Sequence, residues 1–78
     1  MAKHVIRRRD QNAINIMAKN VRKYRKEKKL TMLALANIAN LDYAQIGRIE
    51  RGLSNSTIST IFSIAAALDI NPVQLLER

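Results

Sequence analysis

Residues 42–52 read DYAQIGRIERG, and Ile46 and Ile49 recur there at helical spacing. At 100° per residue Tyr43, Ala44, Gly47, Arg48 and Arg51 fall on the opposite side, away from any core those isoleucines enter. That outer face carries chemistry a solvated helix does not need. Arg48 offers a planar donor fork that can take guanine O6 and N7 together, worth about 1–3 kcal/mol of base discrimination, or it can hold a phosphate. Tyr43 offers a ring for a thymine methyl and a hydroxyl for a phosphate. Ala44 is small enough to approach a thymine methyl. Gly47 costs roughly 1 kcal/mol against Ala inside a helix, and close approach to a groove floor or phosphate would compensate. Gln45 lies at the edge of this face, where its amide can read a base or close a capping box with Asp42; the capping use is favoured. Together these residues fit the major groove of duplex DNA.

Other chemistry finds little support. The chain has no cysteine, one histidine and six scattered acids, so no nucleophile–base pair and no metal-ligand cluster arises. No catalytic residue, metal or cofactor is expected, and His4 reads as solvated. No apolar run approaches the roughly 20 residues of a membrane span. The start, MAKHVIRRRD, is basic but lacks the apolar stretch of a signal peptide. The reading is a soluble cytoplasmic protein associated with the nucleoid. The net charge of +8 is unevenly placed: residues 1–29 hold eleven Lys or Arg against two acids, and the remainder three against four. Such asymmetry points to a polyanionic partner, because clustered cations release condensed counterions on binding nucleic acid.

The elements that must position this face are all helical. Residues 1–9 read as a flexible basic arm and residues 10–78 as one domain. Ile14, Met17, Val21 and Tyr24 define a first helix ending near Lys28, with cations gathered toward its C-terminus in accord with the helix dipole. Thr31 caps a second helix over residues 32–39, and Asn40 supplies a left-handed stop. After the three-residue turn NLD, a third helix covers about 43–51 and stops at Gly52. Thr57 caps a fourth, ISTIFSIAAAL, and NPVQ opens a fifth with Asn71 as cap, Pro72 at the first helical position and Gln74 closing a box. The second helix is apolar nearly all round, which predicts cover on its outer side from Val5, Ile6 or Ile14.

The stretch from Leu30 to Glu77, LTMLALANIANLDYAQIGRIERGLSNSTISTIFSIAAALDINPVQLLE, resembles the Cro/cI-type helix-turn-helix family, also called the XRE family. The resemblance covers about residues 17–77. It implies an all-α, compact five-helix lambda-repressor-like domain that binds double-stranded DNA, commonly as a dimer, with the third helix as recognition helix. The family's base-reading positions fall on Tyr43, Ala44, Gly47 and Arg48, with Gln45 beside them. Arg51 and Asn55 match positions that hold the DNA backbone, and Arg22, Lys26 and Thr31 are assigned there too. Met32 stands where the family often has a backbone-holding Gln; it cannot donate, which leaves that contact to the amides of the helix start. Glu50 should repel phosphates, and the family's solution is an ion pair that maps onto Arg25. Lys29 and Asn40 stand where Gly is common, and Ser56 where Pro is common.

The arm residues Arg7, Arg8 and Arg9 could enter a minor groove, where a narrow negative channel attracts Arg, or could add only unspecific charge. Ile70, Val73 and Leu76 are candidate dimer contacts, or they complete the core. The function read from this pattern is a transcriptional regulator, a repressor or small controller protein on a pseudopalindromic operator. The alternative is an antitoxin or DNA-reading subunit whose main role is a protein partner.

Overall fold

Local hydrogen bonding sets where each helix starts. In the computed structural model, which describes residues 9–78, α1 spans Gln11–Glu27, α2 Met32–Ala39, α3 Tyr43–Glu50 and α4 Ile58–Leu68, followed by a 3₁₀ turn over Pro72–Leu76. Asp10, Thr31 and Thr57 are extended at their N-cap positions. Their side chains accept from the amides of Ala13 at 3.1 Å, Ala34 at 3.0 Å and Thr60 at 3.2 Å, satisfying donors the helices cannot.

The helix ends share one solution. The amides of Leu30, Leu41, Leu53 and Ile70 donate back to the carbonyls of Arg25, Ala36, Arg48 and Ala65 at 2.9–3.0 Å. This closure requires a left-handed residue just before the donor, and Lys29, Asn40, Gly52 and Asp69 supply it, with φ between 56 and 73°. Only one of the four is Gly. Asn40 was the predicted stop of the second helix.

Met17 and Val21 of α1, Leu35 and Ala36 of α2, Ile46 and Ile49 of α3, and Ile64, Ala65 and Leu68 of α4 meet Leu75 of the 3₁₀ turn in one core. Val21, Leu35, Ile46, Ile64, Leu68 and Leu75 are fully buried, each worth about 1.5–3 kcal/mol of hydrophobic stabilisation. α3 packs against both α1 and α2, so its inner isoleucines fix the direction of its outer face.

Three expectations change. The fold has four α-helices and a 3₁₀ turn where five helices were expected, among the described residues. The last element is only five residues long, and its bond runs from the Gln74 amide to the Asn71 carbonyl at 2.9 Å. Asn20, buried in α1, donates to the carbonyls of Leu75 and Glu77 at 3.0 and 2.6 Å, so a side chain caps the turn in place of a continuing helix. The expected Asn71–Gln74 capping box is present.

Next, Ile14 does not cover α2. It faces Ser56, Ile61 and Leu76, while Leu33 and Ile38 of α2 are exposed; Val5 and Ile6 lie outside the described residues. Third, the Asp42–Gln45 capping box is absent. The Asp42 side chain makes no cap bond, and its backbone carbonyl instead accepts from the amides of Gln45 and Ile46 at 3.0 and 3.1 Å. The Asp42 carboxylate is exposed, where water competes for it.

Candidate nucleic-acid interface

With Ile46 and Ile49 anchored, Tyr43, Ala44 and Arg48 stand exposed on the outer side of α3. Gln45 is half-buried at the edge and, with the capping box absent, its amide is not held there. Gly47 differs from expectation: it is buried, and a Cβ built on it would stand 3.1 Å from Arg51 Nη1. The space above Gly47 is therefore filled by the Arg51 guanidinium, folded back over the turn before it. Side chains near a helix C-terminus point toward its N-terminus, so a residue four positions on covers this spot.

The acid in this basic surface is withdrawn from it. Glu50 is 5% exposed and Arg25 14%, and they pair through two bonds, Nε to Oε2 at 2.6 Å and Nη2 to Oε1 at 3.0 Å. Arg25 Nη1 also donates to the Leu30 carbonyl at 2.9 Å. One guanidinium thus locks α1, the connection that follows it and the end of α3 together, with the bidentate geometry that suits a carboxylate on Glu50. This pair is the one expected from the family pattern. Arg22 Nη1 donates to the backbone carbonyl of Glu50, satisfying an acceptor at the end of α3. Sequence reasoning had placed Arg22 on the DNA backbone and missed this structural bond.

The remaining cationic and polar positions surround α3. Lys26, Thr31 and Asn55 are exposed. The Thr31 hydroxyl oxygen accepts from Ala34, which leaves its hydrogen available to donate. Met32 is half-buried against the core, and with Arg25, Thr31, Leu33 and Tyr43 it lines an open groove between the starts of α2 and α3. Arg9 donates to Gln11 Oε1 at 3.2 and 3.1 Å and approaches the Leu53 carbonyl at 3.5 Å. Gln11 Nε2 in turn donates to the Gly52 carbonyl and to Asn15 Oδ1, both at 2.9 Å. This network ties the root of the N-terminal segment to the end of α3. Gln11 and Asn15 were missed, since polar residues on an exposed helix face carry no signal of their partners. Arg7 and Arg8 lie outside the described residues. Of the candidate dimer contacts, Val73 and Leu76 are exposed and Ile70 is half-buried against the core. No group of side chains suited to a metal ion occurs among the described residues, and no helix there is long and apolar enough to cross a membrane.

Comparison with known proteins agrees with this geometry. The helix-turn-helix family model matches residues 21–75. The control protein C.SmaI of Serratia marcescens is 41% identical over 63 residues, which is 81% of this chain and 75% of that protein. The crystal structure of the restriction–modification controller protein C.AhdI from Aeromonas hydrophila superposes with a TM-score of 0.77 at 34% identity, covering 80% of this chain and 94% of that one. The controller protein C.Esp1396I, solved as a tetramer in complex with its natural 35 base-pair operator, superposes with a TM-score of 0.76 at 32% identity, over 81% of this chain and 83% of that one. The chain belongs to the helix-turn-helix family of the Cro/cI (XRE) type.

Proposed function

We propose that this chain is a sequence-specific, double-stranded DNA-binding transcriptional regulator, a repressor or small controller protein that reads a pseudopalindromic operator through the major groove. The observation that carries this reading is the division of labour on α3. Tyr43, Ala44 and Arg48 are exposed, while Glu50, which would repel phosphates, is buried in a bidentate pair with Arg25. Arg48 is the leading base reader, with Tyr43, Ala44 and the uncapped Gln45 beside it. Lys26, Thr31, Asn55 and the free N–H groups of Arg22 hold the DNA backbone. Met32, being half-buried, contributes only its amide. Arg7 and Arg8, with Arg9 at their root, extend the contact toward a minor groove. The likeness to controller proteins, one of them bound to its operator, supports this role.

A homodimer follows from the operator geometry, since two recognition helices about 34 Å apart would meet successive major-groove faces. Val73 and Leu76, with the edge of Ile70, are its proposed contact. The reading carries with it a cytoplasmic, nucleoid-associated location and no catalytic activity. Exposed Ile58 and Phe62 on α4 favour the alternative, a chain whose main role is to bind a protein partner.

Selection of bound duplexes from a random library at about 0.15 M salt separates the two. An enriched inverted repeat, with centres about one helical turn apart, is the expected result. Arg48→Ala should then relax preference at one base position per half-site. Binding without enrichment, collapsing as salt rises, would leave only the electrostatic attraction and favour the protein-partner role.

A further inference from the structure

The contact between Gly47 and Arg51 gives Arg51 a role that its place at the end of α3 does not suggest. Arg51 is the C-cap residue of the helix, where an extended side chain would reach the DNA backbone. Its guanidinium instead lies over Gly47, with Nη1 3.1 Å from where a Cβ would be. Four residues back along an α-helix is about 6 Å toward the N-terminus, the end of a recognition helix that meets base edges. Gly47 is the position that makes this possible, since a Cβ there would stand only 3.1 Å from Nη1 and push the guanidinium off its present seat. Arg51 has no ion pair among the described residues; the acid nearest in sequence, Glu50, is held by Arg25. Two guanidinium groups, Arg48 and Arg51, thus stand on one small face with no carboxylate between them. From this geometry we infer that Arg51 is a second base-reading residue, its guanidinium lying over Gly47 and directed at a guanine O6/N7 edge, distinct from the guanine read by Arg48. Gly47 is its positioning residue.

This inference rests on the DNA-reading role proposed above, and the test separates the two. The selected operator and its single-base variants are titrated with the full chain, with Arg51→Ala, Arg51→Lys and Gly47→Ala, and with the Gly47→Ala/Arg51→Ala double variant, each across a salt series. Thermal melts accompany every variant. Gly47→Ala should melt no lower than the parent, because Ala is favoured in a helix interior and the neighbour that must move is the end of a flexible side chain. The expected result is that Arg51→Ala binds the selected operator about 5- to 150-fold more weakly. It should lose preference at one base position per half-site, different from the position that Arg48→Ala relaxes. Arg51→Lys should not restore that preference, since an ammonium lacks the bidentate fork. Gly47→Ala should relax the same base position, and the double variant should be no worse than Arg51→Ala alone. If Arg51→Ala instead weakens every operator equally and lowers the salt slope by about one, Arg51 holds a phosphate and the inference is overturned. Unchanged base preference in Gly47→Ala would remove the positioning role. If the parent chain selects no operator, the DNA-reading role fails and this inference with it.

Discussion

Replacing Glu50 by Ala removes a carboxylate that is 5% exposed and leaves the Arg25 guanidinium, 14% exposed, facing the gap. Truncating one partner of a buried pair costs about 3–5 kcal/mol, because the other charge stays desolvated and uncompensated. Arg25 is not wholly enclosed and keeps its bond to the Leu30 carbonyl, which places the expected loss near the lower end, about 3 kcal/mol. A domain of 78 residues has a total stability of roughly 4–12 kcal/mol, so this is a large fraction. Each kcal/mol moves Tm by roughly 4–8 °C at this size, which predicts a fall of roughly 12–24 °C. Arg48→Ala removes an exposed cationic side chain and should stay within about 0.5 kcal/mol of the parent. Urea and thermal unfolding followed by circular dichroism give both values. Replacing the pair together, Arg25→Met with Glu50→Leu, should recover most of the loss, since no charge is then left unpaired. Equal melting shifts for Glu50→Ala and Arg48→Ala would refute the reasoning. So would a double variant no more stable than Glu50→Ala.

Other variants test the parts that hold α3 in place. Gly52→Ala should lower stability by at least about 1–2 kcal/mol in a denaturant melt, because φ is +73° and the new Cβ would stand 2.8 Å from Asn15 Oδ1. Adding Asn15→Ala should recover the steric part only. Asn20→Ala should cost about 1–3 kcal/mol by leaving the Leu75 carbonyl without its donor, and amide hydrogen exchange should rise first in residues 72–76. Lys29→Gly should raise stability by about 1 kcal/mol, since φ of 58° disfavours any residue with a Cβ.

Much of the architecture was legible because it depends on neighbours in sequence. The threonine caps, the Asn71–Pro72–Gln74 start and the left-handed Asn40 all involve residues within a few positions of one another. The spacing of Ile46 and Ile49 gave the inner face of α3 directly, and with it the outward positions of Tyr43, Ala44 and Arg48. Two local readings failed for local reasons. The Asp42–Gln45 box needs an exposed carboxylate to prefer an amide over water, and the last helix needs more residues than PVQLL provides. The Arg25–Glu50 pair came from family resemblance; nothing in the spacing of residues 25 and 50 reveals it.

The sequence by itself determined that the chain is helical, where its first four helices lie and which side of the third is free, since period and capping are properties of short segments. Tertiary structure decided the partners of the polar side chains that bond between elements far apart in sequence. Arg22 closes the end of α3, Asn20 caps the last turn, Gln11 holds Gly52, and Leu33 and Ile38 remain uncovered despite their apolar character. It also decided that the site above Gly47 is filled by Arg51. A hydrogen bond depends on a distance of about 3 Å, and for residues far apart in sequence that distance is set by how the helices cross. The fold thereby turns the cations of residues 9–29, which look alike in the sequence, into structural and exposed groups with different tasks.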